Sequence, residues 1–275
     1  MPELPEVECI VQGLRCGVHD APPLPGMRIQ RVSLRWPGHI AQPSPSTFRR
    51  RIHGNKILDV RRRGKFLVFP LDEYTMLIHL RMSGDLSMCP SNSAPGRFDH
   101  TVFLLEDQWE LRFSDARKFG RVFLVSDPQS VLGGLGPEPL DKSFTTQELA
   151  SRLAGRRRAL KPLLLDQSFL AGLGNIYADE GLFRAGLHPL RRTDSLKEKE
   201  VHSLWKGIRA ALRAGLRHNG ASIDWVYRGG DFQNLFRVYQ RTGKPCSKCK
   251  TAIQRIVVAQ RGTHLCPQCQ PEDGL

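Results

Sequence analysis

Two cysteine pairs near the end of the chain constrain the fold more than any other feature of the sequence. Cys246 and Cys249 are separated by two residues, as are Cys266 and Cys269, and residues 250–265 lie between the pairs. This spacing is typical of a four-cysteine zinc site built on a β-hairpin. Four thiolates complete a tetrahedral shell and leave no position for substrate or water. We therefore expect one structural Zn²⁺ and a zinc finger over residues 237–275.

Charge and cysteine content narrow the class of protein. The 275 residues include 41 Lys and Arg against 27 Asp and Glu, which gives a net charge of +14. Such an excess favours a polyanionic partner, most simply nucleic acid. The seven cysteines, an odd number, favour metal ligation in a reducing compartment over a disulfide framework. We find neither an apolar run long enough to span a membrane nor a signal peptide, and we expect a cytoplasmic protein.

The first half of the chain has the periodicity of short β-strands. Apolar and polar residues alternate, with turn signals between the segments, in 28–34, 56–60, 65–70, 75–80, 101–105, 110–114 and 121–125. Residues 36–46 are rich in Pro and Ser and are interpreted as a loop. Before the strands, Val7, Ile10, Val11 and Leu14 repeat at helical spacing. Residues 1–132 are therefore predicted to form a β-sandwich or barrel with a leading helix.

The periodicity becomes helical beyond a Gly- and Pro-rich linker, residues 133–144. Thr145 and Glu148 form a capping-box pattern in front of the apolar Leu149 and Leu153. A later helix carries an apolar stripe, Val201, Leu204, Trp205, Ile208, Leu212 and Leu216. Residues 145–236 are therefore predicted to be a helical domain, and the whole chain an α+β multidomain protein.

The first residues have a chemical interpretation as well as a structural one. Removal of Met1 would leave Pro2 as a secondary amine that is partly uncharged at neutral pH and can act as a nucleophile. Glu3 could transfer the accompanying protons. The alternative is an ordinary helix start, because Pro and acidic residues both favour the first turn of a helix.

Four motifs in the same order as in a known family carry a resemblance over nearly the whole chain. They are Pro2-Glu-Leu-Pro-Glu6, Asp115-Ala-Arg-Lys-Phe-Gly120, Gly172-Leu-Gly-Asn-Ile-Tyr-Ala178 and the cysteine quartet. The sequence resembles bacterial formamidopyrimidine-DNA glycosylases. The resemblance implies an N-terminal β-sandwich with a leading helix, a helix-two-turns-helix DNA-binding domain and the zinc finger.

The resemblance also implies a reaction. Pro2 would attack the sugar C1′ as an oxidised purine, formamidopyrimidine or 8-oxoguanine, leaves duplex DNA. Glu3 would be the nearby acid and base, and the resulting Schiff base would permit β,δ-elimination. Lys65 matches a family lysine that contacts the phosphate of the lesion and assists catalysis. The implied protein is a bifunctional DNA glycosylase and abasic-site lyase.

Further residues match the family's DNA contacts. Met82, Arg117 and Phe119 would fill the void left by the flipped nucleotide, a task that suits an adaptable thioether, a hydrogen-bonding guanidinium and an aromatic wedge. His79, Asn175 and Arg261, together with the lysine named above, would clamp the DNA backbone. Lys161 is a further candidate for a phosphate contact.

Two alternatives remain open from the sequence. Residues 221–236 occupy the place of the loop that closes over an everted 8-oxoguanine, but the segment is a few residues shorter. An endonuclease VIII-like glycosylase for oxidised pyrimidines is therefore one alternative, although Leu4 stands where those enzymes carry Gly. A non-catalytic protein that binds damaged DNA is the other. In each case we expect a bacterial, nucleoid-associated monomer whose partner is double-stranded DNA with oxidised bases or abasic sites, and no membrane.

Overall fold

The computed structural model describes residues 1–18, 20–223 and 229–272. The chain divides into two compact units, with a boundary between Gly134 and Leu135. The first unit holds residues 1–2 and 6–134. The second holds Glu3–Pro5, 135–221 and the described residues from 229 onward. None of the helices in the described ranges is both long and apolar enough to cross a bilayer.

The described residues of the first unit form nine strands. They are β1 (Ile29–Leu34), β2 (Ile40–Gln42), β3 (Arg61–Arg63), β4 (Phe66–Pro70), β5 (Thr75–His79), β6 (Gly84–Pro90), β7 (Asp99–Leu105), β8 (Trp109–Asp115) and β9 (Arg121–Val125). One sheet has the order β1-β7-β8-β6 and the other the order β2-β9-β5-β4-β3. The pairs are antiparallel except for β2 with β9. Side chains of both sheets, such as Phe103 and Ile78, share one core, so the β-sandwich prediction is confirmed.

Two helices complete this core. The predicted leading helix is α1 (Leu4–Cys16), and its apolar stripe is buried as expected. A second helix, α2 (Pro45–Ile52), begins inside the segment interpreted as a loop, and it buries Phe48 and Ile52. Ser44 caps it by accepting a hydrogen bond from the N–H of Thr47, and Pro45 suits the first helical turn. The loop interpretation of 36–46 was therefore wrong, because Pro and Ser here start a helix.

The strand predictions match the structure except at residues 56–60 and at β2, β3 and β6, which were not predicted. Residues 56–60 form only isolated bridges, Arg28 with Lys56 and Ile57 with Leu71. The carboxylate of Asp59 accepts a hydrogen bond from the N–H of Val60, so this N–H cannot pair with a neighbouring strand. Conversely, β6 was not predicted, because its Ser, Cys and Pro residues weaken the alternating pattern.

The second unit is helical and ends in a β-hairpin. After the short α3 (Gln129–Leu132), which belongs to the first unit, it contains α4 (Thr146–Leu153), α5 (Leu160–Leu164), α6 (Asn175–Ala185) and α7 (Glu198–Arg217). The hairpin pairs β10 (Gln254–Val258) with β11 (Arg261–Leu265). As predicted, Thr145 caps α4 by accepting the N–H of Glu148, and the apolar stripe of α7 is buried at Val201, Leu204, Ile208 and Leu212.

Candidate active site

The carboxylate of Glu3 is anchored at the N-terminus of α6. It accepts hydrogen bonds from the backbone N–H groups of Gly174 (2.8 Å), Ile176 (2.9 Å) and Tyr177 (3.3 Å). These are the donors that an α-helix leaves unpaired in its first turn, and the helix dipole adds positive potential there. Glu3 is only 3% exposed. The arrangement therefore favours a fixed carboxylate anion.

Glycine is required where the N-terminal residues approach this turn. A Cβ on Gly174 would lie 2.3 Å from the Glu3 carboxyl carbon. Gly172 has a φ of +87°, and a Cβ there would meet the Leu4 side chain at 2.7 Å. The backbone is also tied, because Leu4 donates its N–H to the carbonyl of Gly172 (3.0 Å). The motif Gly-x-Gly thus provides space for residues 3 and 4.

Pro2 and two other candidate residues lie in the first unit. Pro2 is buried, whereas Met1 before it is 41% exposed and therefore open to removal. Lys65 is buried in the turn between β3 and β4, directly before Phe66, which pairs across the sheet with His79. The predicted residues Lys65 and His79 are thus brought to the same end of the sandwich.

His79 is held as a neutral imidazole. Burial, together with the positive charges of Arg81 and Lys65, lowers the pKa of His79 to about 3. Its Nδ1 accepts the backbone N–H of Arg81 (3.0 Å), which assigns the ring proton to Nε2. The ring also packs edge-on against Phe66, with centroids 4.8 Å apart. His79 can therefore donate one hydrogen bond from Nε2 without changing its charge.

The three residues expected to fill a void in DNA are exposed at that same end. Met82 follows β5 and is 44% exposed, and Phe119 in the turn between β8 and β9 is 47% exposed. The guanidinium carbon of Arg117 lies 4.9 Å from the centre of the Phe119 ring. Large apolar side chains this exposed do not contribute to the core, and Met82 and Phe119 are therefore open to a ligand.

Asp115 joins the two turns that carry these residues. Its carboxylate accepts the backbone N–H groups of Arg117 (3.2 Å) and Gly120 (2.7 Å) and the hydroxyl of Ser83, the neighbour of Met82. Burial alone would raise the pKa of Asp115, but the neighbouring His39, the hydroxyl of Ser83 and the two N–H groups hold it well below its usual range. Asp115 begins the motif Asp115–Gly120, but no local pattern in the sequence predicts this role.

Asn175 and Arg261, the candidate phosphate-binding residues of the second unit, occupy adjacent positions. Arg261 is exposed and follows the hairpin turn Ala259–Gln260, both residues of which have positive φ. The Nδ2 of Asn175, the first residue of α6, donates to the carbonyl of Gly262 (3.0 Å). Asn175 is thus placed next to the hairpin residue that follows Arg261. One of its two amide hydrogens is used in this contact.

Lys161 does not reach a surface where it could contact DNA. It is fully buried, and its Nζ donates to Asp179 Oδ1 (2.6 Å), Thr263 Oγ1 (2.7 Å) and the carbonyl of Gly262 (3.2 Å). Its expected phosphate contact is therefore corrected. The side chain joins α5, α6 and β11 because a buried ammonium requires acceptors on every side.

The four cysteines come together as predicted. Their ligand atoms lie within 4.8 Å of one another, and the Sγ of Cys249 lies 3.4 Å from that of Cys266 and 3.5 Å from that of Cys269. A tetrahedron with Zn–S bonds of about 2.3 Å has S···S edges of about 3.8 Å, whereas a disulfide requires about 2.05 Å. The donor set therefore fits one structural zinc ion.

Family models cover most of the chain. Residues 1–122 match the formamidopyrimidine-DNA glycosylase N-terminal domain, 135–226 the H2TH domain of the same glycosylase, and 243–271 a zinc finger found in FPG and IleRS. The order of the three is the order of the sandwich, the helices and the cysteine hairpin. Fold and site together define a DNA glycosylase of the base-excising class.

Relatives agree over nearly the full length. Formamidopyrimidine-DNA glycosylases of Symbiobacterium thermophilum and Roseiflexus sp. are each 44% identical over 98% of this chain, and the matches cover 90% and 100% of those proteins. The Lactococcus lactis enzyme in complex with FAPY-dG DNA superposes with a TM-score of 0.90 at 33% identity, over 98% of this chain and 100% of that one. The chain belongs to the formamidopyrimidine-DNA glycosylase family. The resemblance is therefore confirmed, as are the enzyme class, with its glycosylase and lyase activities, and the structural zinc.

The expected lesion loop lies partly outside the described residues. Of residues 221–236, positions 224–228 are not described. On the described side, Phe232 is buried and stacks on Tyr177, with ring centroids 5.4 Å apart. This end of the segment is thus anchored on α6.

Proposed function

We propose that this chain excises oxidised purines from duplex DNA and then cleaves the strand, with Pro2 as nucleophile. The proposal rests on the Glu3 carboxylate, which accepts hydrogen bonds from three backbone N–H groups. Glu3 directly follows the buried Pro2 in the sequence. The three hydrogen bonds offset the cost of burying the carboxylate, and buried anions held in this way are concentrated at functional sites. The helix-start interpretation explains α1 but not this anchor.

The proposed reaction begins at the amine of Pro2. After removal of Met1, the nitrogen attacks C1′ of the damaged nucleotide, the bond from C1′ to the base breaks, and the base leaves with the bonding electrons and a proton. The sugar ring then opens: the C1′–O4′ bond breaks, its electrons go to O4′, which takes up a proton, and the nitrogen lone pair forms the C1′=N⁺ bond of an iminium ion. The iminium acidifies the C–H bonds at C2′ and permits loss of the 3′ and then the 5′ phosphate. Glu3 accepts and returns protons in these steps because its anion is fixed beside the nucleophile in the sequence.

The remaining residues are proposed to bind DNA. In the first unit, Lys65 and the neutral His79 contact the phosphates at the lesion, while Met82, Arg117 and Phe119 occupy the space of the flipped nucleotide. In the second unit, Asn175 and Arg261 contact the backbone from adjacent positions. The exposure of Met82, Phe119 and Arg261 supports these roles, since each side chain is open to a ligand.

Oxidised purines are the proposed substrate class. Related structures contain FAPY-dG, abasic-site and carbocyclic 8-oxo-G DNA. The rival endonuclease VIII-like preference for oxidised pyrimidines rests on the shorter segment 221–236. The presence together of Met82, Arg117 and Phe119 favours the purine preference.

Borohydride trapping tests the proposal directly. Incubation with an 8-oxoguanine:cytosine duplex and borohydride should reduce the iminium to a stable amine, and peptide mapping should place the adduct on Pro2. Parallel duplexes with formamidopyrimidine and thymine glycol distinguish the purine from the pyrimidine preference. Absence of an adduct with all three duplexes would refute the enzymatic role.

Two expectations remain part of the proposal. The domain division 1–132, 133–144, 145–236 and 237–275 is supported by the boundary between Gly134 and Leu135. A place at the bacterial nucleoid in the cytoplasm follows from the DNA substrate and the net charge of +14.

A further inference from the structure

The short segment Trp36–His39 supports the turn that carries Arg117 and Phe119. It consists of Trp36 followed by a 3₁₀ turn, Pro37–His39, between β1 and β2. The supported turn runs from Asp115, at the end of β8, to Gly120 before β9. Three separate contacts join them within the first unit.

The first contact holds a strained residue. Lys118, between Arg117 and Phe119, has a φ of +60°, in the left-handed region that non-glycine residues rarely adopt. Its Nζ lies over the ring of Trp36, 4.7 Å from the centroid. The ring in turn lies against Gly38, where a Cβ would meet it at 2.8 Å. Trp36 thus stabilises the conformation that points the two flanking side chains outward.

The second contact is between His39 and Asp115, the first residue of the turn. His39 is fully buried, its Nδ1 lies 3.0 Å from Thr101 Oγ1, and its ring packs 4.6 Å from that of Phe113. Its Nε2 lies 3.5 Å from Asp115 Oδ2, which is an ion-pair distance and longer than a good hydrogen bond. Oδ2 is also the acceptor for the N–H of Gly120. His39 therefore restricts where the carboxylate of Asp115 can lie.

The third contact closes the far end of the turn. Arg121 Nη1 donates to the carbonyl of Gly38 (3.2 Å) and to that of Gly120 (2.8 Å). The beginning, middle and end of the turn are thus each linked to the Trp36–His39 segment. Glycine at 120 is needed as well, because a Cβ there would lie 2.3 Å from the Phe113 ring.

We propose that Trp36 and His39 are positioning residues for base-pair discrimination. They hold Arg117 and Phe119 in place before DNA arrives, so that the guanidinium meets the base opposite the lesion without first ordering the turn. This inference rests on the proposed function, which assigns Arg117 to that base. Without the support, the turn must be ordered on binding, and the advantage of the correct opposite base is reduced.

The test compares Trp36→Leu, Trp36→Phe, His39→Leu and His39→Gln with the unaltered protein. Single-turnover excision of 8-oxoguanine opposite cytosine and opposite adenine gives a discrimination ratio for each. We expect Trp36→Leu and His39→Leu to lower the ratio by about three- to tenfold. Trp36→Phe and His39→Gln should keep most of the ratio, because an aromatic ring remains under Lys118 or a polar side chain remains between Thr101 and Asp115. 2-Aminopurine opposite a tetrahydrofuran site should report weaker stacking in the two Leu variants.

Tyr74→Leu is the matched control. Tyr74 also packs on the sandwich core and also lies under a cation, Arg51, at 5.6 Å, but it belongs to the turn between β4 and β5. An equal loss of discrimination in Tyr74→Leu would show general destabilisation and overturn the inference. So would unchanged ratios in both Leu variants whose Pro2 adduct forms normally. Failure of the unaltered protein to form any adduct would instead refute the proposed function.

Discussion

At the scale of single residues, the site depends on how one carboxylate is held. Glu3 and its donors are separated by more than 170 positions, yet three N–H groups of α6 converge on it. The sequence pattern indicated Glu3 as a proton carrier but not its anchor, because no local signal links residue 3 to residue 174. The neighbouring glycine could be recognised only as part of a motif.

The hydrogen-bonded carboxylate of Glu3 predicts the effect of adding one methyl group at Gly174. Gly174→Ala places a Cβ on the Glu3 carboxyl group, so the carboxylate must move by the order of 1 Å. A displacement of this size lowers activity by about 100-fold. Excision rate and borohydride trapping should both fall by that factor.

Gly134→Ala is the control for the same change. No heavy atom lies within 4 Å of a Cβ built on Gly134. Its activity should stay within about twofold of the unaltered protein, since surface substitutions of this kind have small effects. A fully active Gly174→Ala variant would contradict the proposed use of Glu3.

The lowered pKa of His79 predicts an acid sensitivity. Because the pKa of His79 is about 3 in the native protein and the ordinary value for histidine is 6.5, the unfolded chain binds a proton between these values that the native protein does not. The contribution of His79 to the free energy of unfolding is therefore fully present above pH 6.5 and decreases as the pH falls below that value. His79→Gln should reduce the loss of unfolding free energy between pH 7.5 and pH 5 in urea titrations. His202→Gln, an exposed histidine on α7, serves as control, and an equal reduction there would contradict the assignment.

At the scale of elements, α6 organises the second unit. Its N-terminus binds Glu3, and the next turn carries two fully buried acids, Asp179 and Glu180. Asp179 binds Lys161 and the backbone N–H of His264 in β11, at 2.6 and 2.9 Å. Glu180 accepts the N–H groups of three consecutive residues, 237–239, at 2.8, 2.9 and 3.2 Å. One helix thus connects the chemistry to the cysteine hairpin.

The buried ion pair between Lys161 in α5 and Asp179 in α6 predicts a non-additive stability effect. Lys161→Met leaves the Asp179 carboxylate without its cation and should destabilise the second unit by about 3–5 kcal/mol. Adding Asp179→Asn removes the uncompensated charge and should recover part of the loss. Urea unfolding of Lys161→Met, Asp179→Asn and the double variant gives the free energy of coupling between the two side chains. If the two losses simply add, the pair is not coupled.

The elements that the sequence predicted are those with a local pattern. The strands 75–80 and 121–125 and the stripe of α7 follow from periodicity, and the cysteine site follows from spacing. The helix α2 was missed because Ser44 and Pro45 are common to loops and helix starts. Lys161 was misassigned because its acceptors lie about 18 and 100 residues away, where no sequence window can reach.

At the scale of the whole molecule, positive charge and the zinc finger together serve DNA binding. The net charge of +14 provides attraction without sequence preference, while the finger fixes the position of exposed arginine. Buried Phe183, Val238 and Ile253 pack with Cys246 and Cys266, so the metal site and the packing depend on each other. Loss of zinc should therefore disturb more than the hairpin.

Zinc removal is expected to unfold part of the second unit while the first unit stays folded. Chelation should unfold the finger and abolish DNA binding, while the β-sandwich, which contributes no ligand, stays folded. Circular dichroism and binding to a tetrahydrofuran duplex report on each, and added zinc should restore both signals. Intact binding after complete zinc loss would contradict a structural role.

The exposed arginine of the hairpin predicts a salt effect. Arg261→Ala should weaken binding to intact and damaged duplexes alike and reduce the slope of log affinity against log salt by about 0.9, the value for one phosphate contact. Arg50→Ala, an exposed arginine on α2, provides the comparison. An effect confined to one lesion would argue against a phosphate contact.

The division of the chain between residues 2 and 3 limits how its modules can be exchanged. Glu3–Pro5 belong to the second unit, although the rest of α1 belongs to the first. A recombination event at the linker would deliver the helices and the finger without Glu3 and Leu4, which fill the turn at Gly172 and Gly174. Such a transplanted half would lack its own buried anion. Gene fusion and fission at the obvious boundary are therefore disfavoured, and the two halves must be inherited together.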